Sequence, residues 1–566
     1  MNKNSYRLVY SRVRNMVVAA ADFAVARGNA GGKGERGARR GADTSILAPA
    51  LRGMAWTAML MLGTASTLAL SQIVAKPGSA TQVLQTQNGL DQVNIARPSA
   101  AGVSLNNYSQ FDVPGKGAIL NNSPTLTQTQ QAGYINGNAN LTPGQEARII
   151  VNQVMSNSPS QLRGYLEVAG PRAEVIVANP NGIVVDGGGF INTSRGILTT
   201  GTPNFGPGGN LAGFTVSGGN IVVQGAGLNA TNIDQVDLIA RAIQVNAAIY
   251  AKSLNVIAGA NDVDHDTLNA TPIAGSGPAP SLAIDVSQLG GMYANRIYLA
   301  SNEYGVGVST KGVIAAQAGD LTLKSNGQLL LAGTTNASGS ISASASQGIG
   351  NSGTTYAQGN VSATTSGTLT NSGMLAAQQS TTIDAGSVAS TGTLAAGVNG
   401  DGSLAQSGDL NVGASGAVTA TGRNVAGGNA NVNGGAVNLA GSINSANGAL
   451  VLAASSGDLN LSGATTTAGG TLDARASGSL TNDNGAMSSG GAQTVTAGAL
   501  SNRNGQIVSG GALTETVTGA TNNQGGTMQA NGVLSSTSGT FWVAAMLRAE
   551  RQAQEFQRHW RATSTM

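Results

Sequence analysis

Side chains able to do covalent or metal chemistry are scarce in this chain. Its only histidines are His265 and His559, and it has no cysteine. The one cluster of acidic and histidine residues is Asp262, Asp264, His265 and Asp266. A hard cation needs several converging oxygens, yet this run leads into the Pro- and Gly-rich residues 271–280, so a solvated loop is expected instead. Gly225-Ala226-Gly227-Leu228-Asn229-Ala230 follows the strand-like Ile221-Val222-Val223 and has the outline of a dinucleotide-binding turn. Polar residues 231–234 stand where a helix would have to begin, and in so glycine-rich a chain the match is expected by chance. No Ser/His/Asp constellation and no metal-spaced histidine set is present. The chain is therefore expected not to be an enzyme, with no cofactor and no metal.

The most informative residues are Asn179, Pro180, Asn181, Gly182 and Ile183. Pro180 fixes one backbone angle and removes a donor, and Asn181-Gly182 tolerates positive φ, so the segment predicts a tight turn between strands. Val175-Ile176-Val177 enters it and Ile183-Val184-Val185 leaves it; after Gly187-Gly188-Gly189 a further strand-like run begins at Phe190.

The elements that hold this turn come from an unusual composition. Of 566 residues only 10% are charged and 4% aromatic, and 82 are glycine, whereas ordinary domains carry about a quarter charged residues and about 7% Gly. Such a chain is either a disordered polar tract or a solenoid turning at Gly and Asn, and an apolar content of 41% with β patterning favours the solenoid. The net charge of +3 hides an asymmetry: ten of the 29 basic residues lie in residues 1–53, and residues 54–540 carry 15 basic against 21 acidic residues. A nucleic-acid partner is excluded on that ground. The absence of cysteine removes any disulfide framework, which suits a protein that crosses a membrane unfolded.

Residues 54–70 are uncharged and largely apolar, with basic residues before them and small ones after. This predicts a secretory signal rather than a membrane anchor, cut after Ser71 or Ala75, and no integral membrane span in the mature chain. Ahead of it, Arg7, Arg12 and Arg14 alternate with apolar residues that could form a short surface helix.

Between residues 76 and 310, short β-favouring runs alternate with Asn, Gly and Pro punctuation, and no helical stripe of useful length appears, so the class is all-β. This region resembles the secretion domain of two-partner secretion exoproteins of the filamentous haemagglutinin type, whose signature is NPNGI followed by GFINT, here residues 179–183 and 189–193. The resemblance continues, in the family's order, through residues 105–113 (LNNYSQFDV), 117–123 (GAILNNS), 158–183, 239–252 and 289–308. It implies an extended signal peptide over residues 1–75 and export through the periplasm to the cell surface or medium. It also implies that residues 76–310 are read by an outer-membrane two-partner transporter. In the family the NPNGI turn is tied to secretion competence; Asn179, Pro180, Asn181, Gly182 and Ile183 would either touch the transporter or close a coil that folds outside the cell. The family often has two cysteines where this chain has Val185 and Gly188, so here the loop must hold by hydrogen bonds and packing.

From about residue 311 to 540 the chain repeats itself. Residues 480–485 (LTNDNG), 500–505 (LSNRNG) and 520–525 (ATNNQG) recur at a spacing of 20, and a second phrase returns at Gly319-Asp320-Leu321, Gly408-Asp409-Leu410 and Gly457-Asp458-Leu459. Alternating apolar residues put one side of each short strand inward. One such coil cannot bury its apolar face, whereas stacked coils can, so a right-handed parallel β-helix of about 11 or 12 coils, roughly 55 Å long, is expected. Asn482, Asn502 and Asn522 are expected to stack as an amide ladder at one corner.

After Gly539 the composition changes. Residues 541–566 lack glycine and place Trp542, Ala545, Ala549, Ala553, Phe556 and Trp560 on one helical stripe, predicting an amphipathic helical tail, either a cap on the last coil or the remnant of a truncation or frameshift. The functional expectation is a secreted adhesin that binds a host or bacterial cell-surface receptor or glycan. The alternative is a truncated N-terminal part of a contact-dependent growth inhibition toxin-delivery protein, which would use the same secretion domain and shaft.

Overall fold

The computed structural model describes residues 72–543 and 547–549 in one unit, and the backbone of residues 6–11 and 16–21 in another. In the smaller unit Tyr6–Ser11 pairs antiparallel with Met16–Ala21. The expected surface helix is thus a hairpin, in keeping with the β-favouring Val and Tyr residues on its strands; Arg12, Arg14 and residues 54–70 lie outside the described residues.

The larger unit is a β-solenoid of about 19 turns. A typical coil is Leu321–Ser325, Gln328–Leu331 and Thr334–Ala337, and the next, Ile341–Ala345, Gly348–Asn351 and Thr354–Ala357, lies parallel on it with Leu321 opposite Ile341, Leu329 opposite Ile349 and Thr335 opposite Thr355. Each coil thus contributes one strand to each of three faces, called here the first, second and third in chain order. Alternate residues point inward: Leu321, Leu323, Leu329, Leu331, Ile341 and Ile349 are all buried in one continuous core. Each buried Leu or Ile is worth about 1.5–3 kcal/mol relative to exposure, which a lone coil could not collect.

The corners explain the glycine content. Between the second and third faces, Gly312, Gly333, Gly353, Gly373, Gly392 and Gly422 stack so closely that a Cβ on Gly353 would fall 1.9 Å from the Gly333 carbonyl oxygen, and one on Gly373 2.0 Å from that of Gly353. Further along, this corner changes to a left-handed residue, supplied by Gly441, Gly463, Asn484, Asn504 and Gly525. Between the third and first faces a side-chain ladder joins coil to coil. The backbone N–H of Ser340 donates to Asp320 Oδ1 (2.8 Å), Asn360 to Ser340 Oγ (3.1 Å), Ser380 to Asn360 Oδ1 (3.0 Å), Asp409 to Ser380 Oγ (3.2 Å) and Asn429 to Asp409 Oδ1 (2.7 Å). Two of the three Gly-Asp-Leu phrases, at Asp320 and Asp409, share this corner. Asp458 instead precedes the second-face strand Leu459–Asn460.

The amide ladder has a different third member from the one expected. Asn482 Nδ2 donates to Asn502 Oδ1 (2.8 Å), and Asn502 Nδ2 donates to Asn523 Oδ1 (2.6 Å). Asn522 is not a rung: it pairs with Ser501, because Leu500 stands opposite Thr521 rather than Ala520. One extra residue in this coil moves the register by one, and the neighbouring Asn523 fills the buried site.

The first coils show how an open ladder is managed. At the start, Ile73–Ala75 runs antiparallel on Val103–Phe111, and Gln82–Gln85 antiparallel on Asp91–Asn94. Buried asparagines tie this cap: Asn121 Nδ2 donates to Asn94 Oδ1 (3.0 Å), and Asn138 Nδ2 to the carbonyls of Ile95 (2.9 Å) and Asn121 (3.0 Å). At residues 540–543 and 547–549, within or beside the expected helix, the described residues form strands. Thr540–Val543 adds to Ala520–Asn523 and Leu547–Ala549 to Met528–Ala530. Unpaired backbone groups on the preceding coil favour another strand, and Phe541-Trp542-Val543 suits one. Ala545, Ala553, Phe556 and Trp560 lie outside the described residues. Among the described residues no helix is long and apolar enough to cross a membrane.

Two outcomes follow. Asn502→Ala strands the Asn482 donor and the Asn523 acceptor and should cost about 2–3 kcal/mol, against under about 1 kcal/mol for Asn522→Ala, read as the shift in denaturant midpoint of the C-terminal coils; equal costs would contradict the register. Ile73 is fully buried, and a signal cut after Ala75 would remove its strand. Amino-terminal sequencing of the exported protein should therefore begin ahead of Ile73.

Candidate functional site

The turn at residues 179–183 is the corner between the first-face strand Ala173–Ala178 and the second-face strand Ile183–Val185. Asn179 is fully buried and closes the corner from both sides. Its Nδ2 donates to the Ser158 carbonyl (2.9 Å) and to Ser160 Oγ (3.0 Å) of the preceding coil, and its Oδ1 accepts the Asn181 N–H (3.0 Å). Its own N–H reaches the Thr199 carbonyl of the following coil (2.9 Å), and its carbonyl accepts the Gly182 N–H (3.0 Å). One residue, through its side chain and its backbone, thus pins three successive coils.

The other residues divide by exposure. Gly182 has φ of 113°, and a Cβ there would lie 3.1 Å from the Asn220 carbonyl, so the position demands glycine. Ile183 is buried and stacks between Ser160 and Ile221. Pro180 and Asn181 are exposed, although Asn181 Nδ2 also donates to the Ser156 carbonyl (2.6 Å). The surface that this turn offers a partner is therefore Pro180 and Asn181, on a frame made by Asn179, Gly182 and Ile183.

Around the turn the chain packs tightly. The Phe190 ring sits where a Cβ on Gly196 would come within 2.7 Å, and a Cβ on Gly188 would lie 2.8 Å from Val185 Cγ1. The two positions where the family resemblance would place cysteines thus lie side by side, and neither carries a thiol here. Gly219 of the next coil fits so closely that its Cβ would lie 2.5 Å from the Pro180 carbonyl.

The remaining candidates resolve into structure. Gly225 and Gly227 take positive φ in a turn closed by Asp186, whose Oδ1 accepts the Ala226 N–H (2.9 Å), and a strand, Leu228–Ala230, follows. The acidic and histidine cluster differs from the expected solvated loop. Asn261–Asp264 is a strand in a four-stranded antiparallel layer with Thr202–Phe205, Leu211–Val216 and Ala270–Pro272, and His265 is buried beneath it. Only Asp262, Asp264 and Asp266 face solvent. Among the described residues no three acidic or histidine side chains are placed to hold a metal ion. Sequence reasoning placed His265 in a solvated loop because its partner Glu174 comes from a strand distant in the chain. It also missed Arg241, which grips Glu303 through both carboxylate oxygens (2.8 and 3.1 Å) and holds the Ser276 carbonyl (2.6 Å), pinning the Gly- and Pro-rich loop.

Comparison with known proteins places these features in context. Residues 71–331 match the family model described as the TPS secretion domain, and residues 1–51 that of the Extended Signal Peptide of Type V secretion system. The chain is 54% identical over 499 residues to the protein named tRNA nuclease CdiA-2 of Burkholderia pseudomallei (strain 1026b), covering 88% of this chain and 16% of that one. It is 43% identical over 362 residues to Toxin CdiA of Yersinia pestis, covering 62% and 11%. The chain therefore spans a sixth or less of the length of these relatives. A solved filamentous hemagglutinin secretion domain aligns with 35% identity and a TM-score of 0.44 over 51% of this chain and 96% of that one.

The hydrogen bonds rank the turn residues. Asn179→Ala removes four side-chain bonds at a buried site and should destabilise the domain by about 3 kcal/mol, Asn181→Ala by about 1 kcal/mol. Thermal unfolding of the two variants checks the order, and a reversal would put the structural weight on Asn181.

Proposed function

The chain belongs to the two-partner secretion exoproteins of the filamentous haemagglutinin type, and from that premise we propose that it is the secretion and shaft portion of a contact-dependent growth inhibition toxin-delivery protein. It is exported through the periplasm to the cell surface or extracellular space, and its secretion domain has an outer-membrane transporter as partner. One observation carries the finer reading: the 54% identity to the protein named tRNA nuclease CdiA-2 extends over 499 residues, well past residue 331 where the secretion-domain match ends. The likeness thus includes the shaft. This supports the delivery alternative over the adhesin reading, which rested on the family's type member.

In this reading the solenoid does mechanical work and carries no catalysis of its own. The shaft holds a distal segment away from the cell that displays it, and the receptor is a molecule on a neighbouring bacterium. The turn at residues 179–183 serves export chiefly by closing the coil that templates the next, with Pro180 and Asn181 as the part open to the transporter.

Two measurements test this. Producer cells should reduce the survival of isogenic targets lacking the locus when the two are in contact but not across a filter; equal survival, with attachment to host cells intact, would return the adhesin reading. For the turn, export into the medium should fall with Asn179→Ala and largely persist with Pro180→Ala. Loss of export in a Pro180 variant of normal stability would make the turn a recognition element.

A further inference from the structure

We propose that His265 is a proton-dependent clasp that fastens the four-stranded antiparallel layer to the solenoid beside the Asn179 turn. The layer grows out of the corner that this turn occupies. In the coil after the turn, residues 200–219 leave between Thr193–Thr199 and Asn220–Val223, and two coils later residues 259–281 leave between Ser253–Ala258 and Leu282–Val286. The two excursions pair through Leu211–Val216 and Asn261–Asp264. Together they cover the outward side of the first face, burying Leu211, Phe214, Val216 and Val263 against Val151, Ile176, Ile197, Ile239 and Ile257.

The apolar seal gives way to charge at one edge. His265 Nε2 lies 2.7 Å from Glu174 Oε1, and its Nδ1 2.7 Å from Asp266 Oδ1. Glu174 is on the strand that runs into Asn179, and its Oε1 is also 3.7 Å from Arg195 Nη1 of the next coil. Arg195 Nε in turn bonds Asp237 (2.5 Å) one coil further on, where Gln235 (2.9 Å) and Asn255 (2.7 Å) also donate to that carboxylate. The side chains of His265, Glu174, Arg195 and Asp237 are 6%, 12%, 14% and 0% exposed, whereas Asp266 is 86% exposed and Asp264, turned onto Thr267, also faces solvent. The strand Leu211–Val216, which packs Phe214 against the imidazole, brings no charged group.

The charge balance of the buried set decides the histidine's state. Two carboxylates face one guanidinium, so a neutral imidazole leaves a buried negative charge uncompensated, and a protonated one completes two pairs. Burial and, less strongly, the nearby Arg195 charge push the His265 pKa down, but the hydrogen bond and charge of Glu174, with the Asp266 hydrogen bond, outweigh them, so the pKa is raised above the ordinary imidazole value. Burial likewise holds Asp237 above the ordinary carboxylate value despite the Arg195 charge and hydrogen bonds from Asn255, Arg195 and Gln235. For a folded pKa raised above the unfolded one, the stabilisation is fully present below the unfolded value of about 6.5 and is lost as pH rises through the folded value. The layer is held at its charged edge in mildly acidic medium. It loosens there as the medium becomes alkaline, exposing the first face next to the turn.

The chain's two histidines make the test direct. In the full chain with imidazole Cε1 labelled, His265, assigned by its loss in His265→Gln, should titrate above pH 6.5, and Glu174→Gln should lower that midpoint by about one unit or more. Hydrogen exchange of the 261–268 segment, corrected for intrinsic rates, should show wild type about tenfold better protected than His265→Gln at pH 5.5 and nearly equal to it at pH 8.5. A wild-type midpoint at or below 6.5, or a protection ratio that does not change with pH, would overturn the clasp; the wild-type titration decides even if a variant fails to fold.

Discussion

Parallel strands stacked in register are the constraint from which the rest of this molecule follows. Each strand satisfies its backbone donors and acceptors on the coils before and after it, so every coil must return to the same three faces with inward residues above inward residues. Within a coil little can vary. Variation is pushed to the corners, and that is where it is found: the antiparallel layer leaves between the first and second faces, and the excursion over residues 397–409 between the third and the first. The same constraint explains why the insertion of one residue before Thr521 makes Asn523, not Asn522, the partner of Asn502. The buried site is fixed by the stack, and the sequence slides past it.

An asparagine suits such a stack because its amide both donates and accepts along the axis. The interior nevertheless uses such ladders in separate short runs. Asn351 donates to Asn371 (2.7 Å) and Asn371 to Ser390 Oγ (3.1 Å) at the corner after the second face. Leu439 and Leu461 then take that corner, and the amides move to the third face, where Asn424 donates to Asn444 (2.8 Å). The run from Asn482 returns to the corner. Because each rung donates onward, the first rung of a run has no amide above it to donate to its own oxygen: Asn424 Oδ1 and Asn482 Oδ1 are buried without a partner, whereas Asn351 Oδ1 is met by the Thr355 hydroxyl (2.9 Å). A broken ladder thus leaves an unmet acceptor at a start unless a hydroxyl covers it, whereas an apolar residue in the same column leaves none.

Much of this was legible in the sequence, and what was not has physical causes. Alternation in runs such as Leu321-Thr322-Leu323 and the recurrence of Leu480 and Leu500 give strands and coils directly, because period and burial are local properties. The tight turn at Pro180 and Gly182 is legible for the same reason. The identity of Asn523 was hidden because a one-residue insertion leaves the local phrase unchanged while moving its register. The strands Thr540–Val543 and Leu547–Ala549 were hidden behind a helical stripe, since the pull of the ladder at Ala520–Asn523 comes from a neighbour and not from the segment itself. His265 looked like part of a loop because Glu174 and Phe214, which pack against it, stand far from it in sequence. Family resemblance carried export and the transporter, but it pointed to an adhesin, and the relatives' shared shaft turned the functional reading toward delivery.

Contacts in a solenoid join a coil only to its neighbours, so the molecule can be built from one end without waiting for the other. The cap at residues 73–147 shows which end that is: its antiparallel strands and buried Asn94, Asn121 and Asn138 close one edge, leaving the opposite edge of Val103–Phe111 and Ala118–Asn121 to receive Ile149–Val154 and Tyr165–Ala169. A chain arriving unfolded and amino end first would find a finished template as soon as the cap had formed. The absence of cysteine and the sparse charge remove two obstacles to threading. The turn at Asn179 then stands at an early branch in that order, bonded to the coils on both sides and rooted beside the antiparallel layer. A defect there would halt the template before the shaft begins, which under the proposed role of the turn is a physical route from a five-residue corner to export that needs no main contact surface.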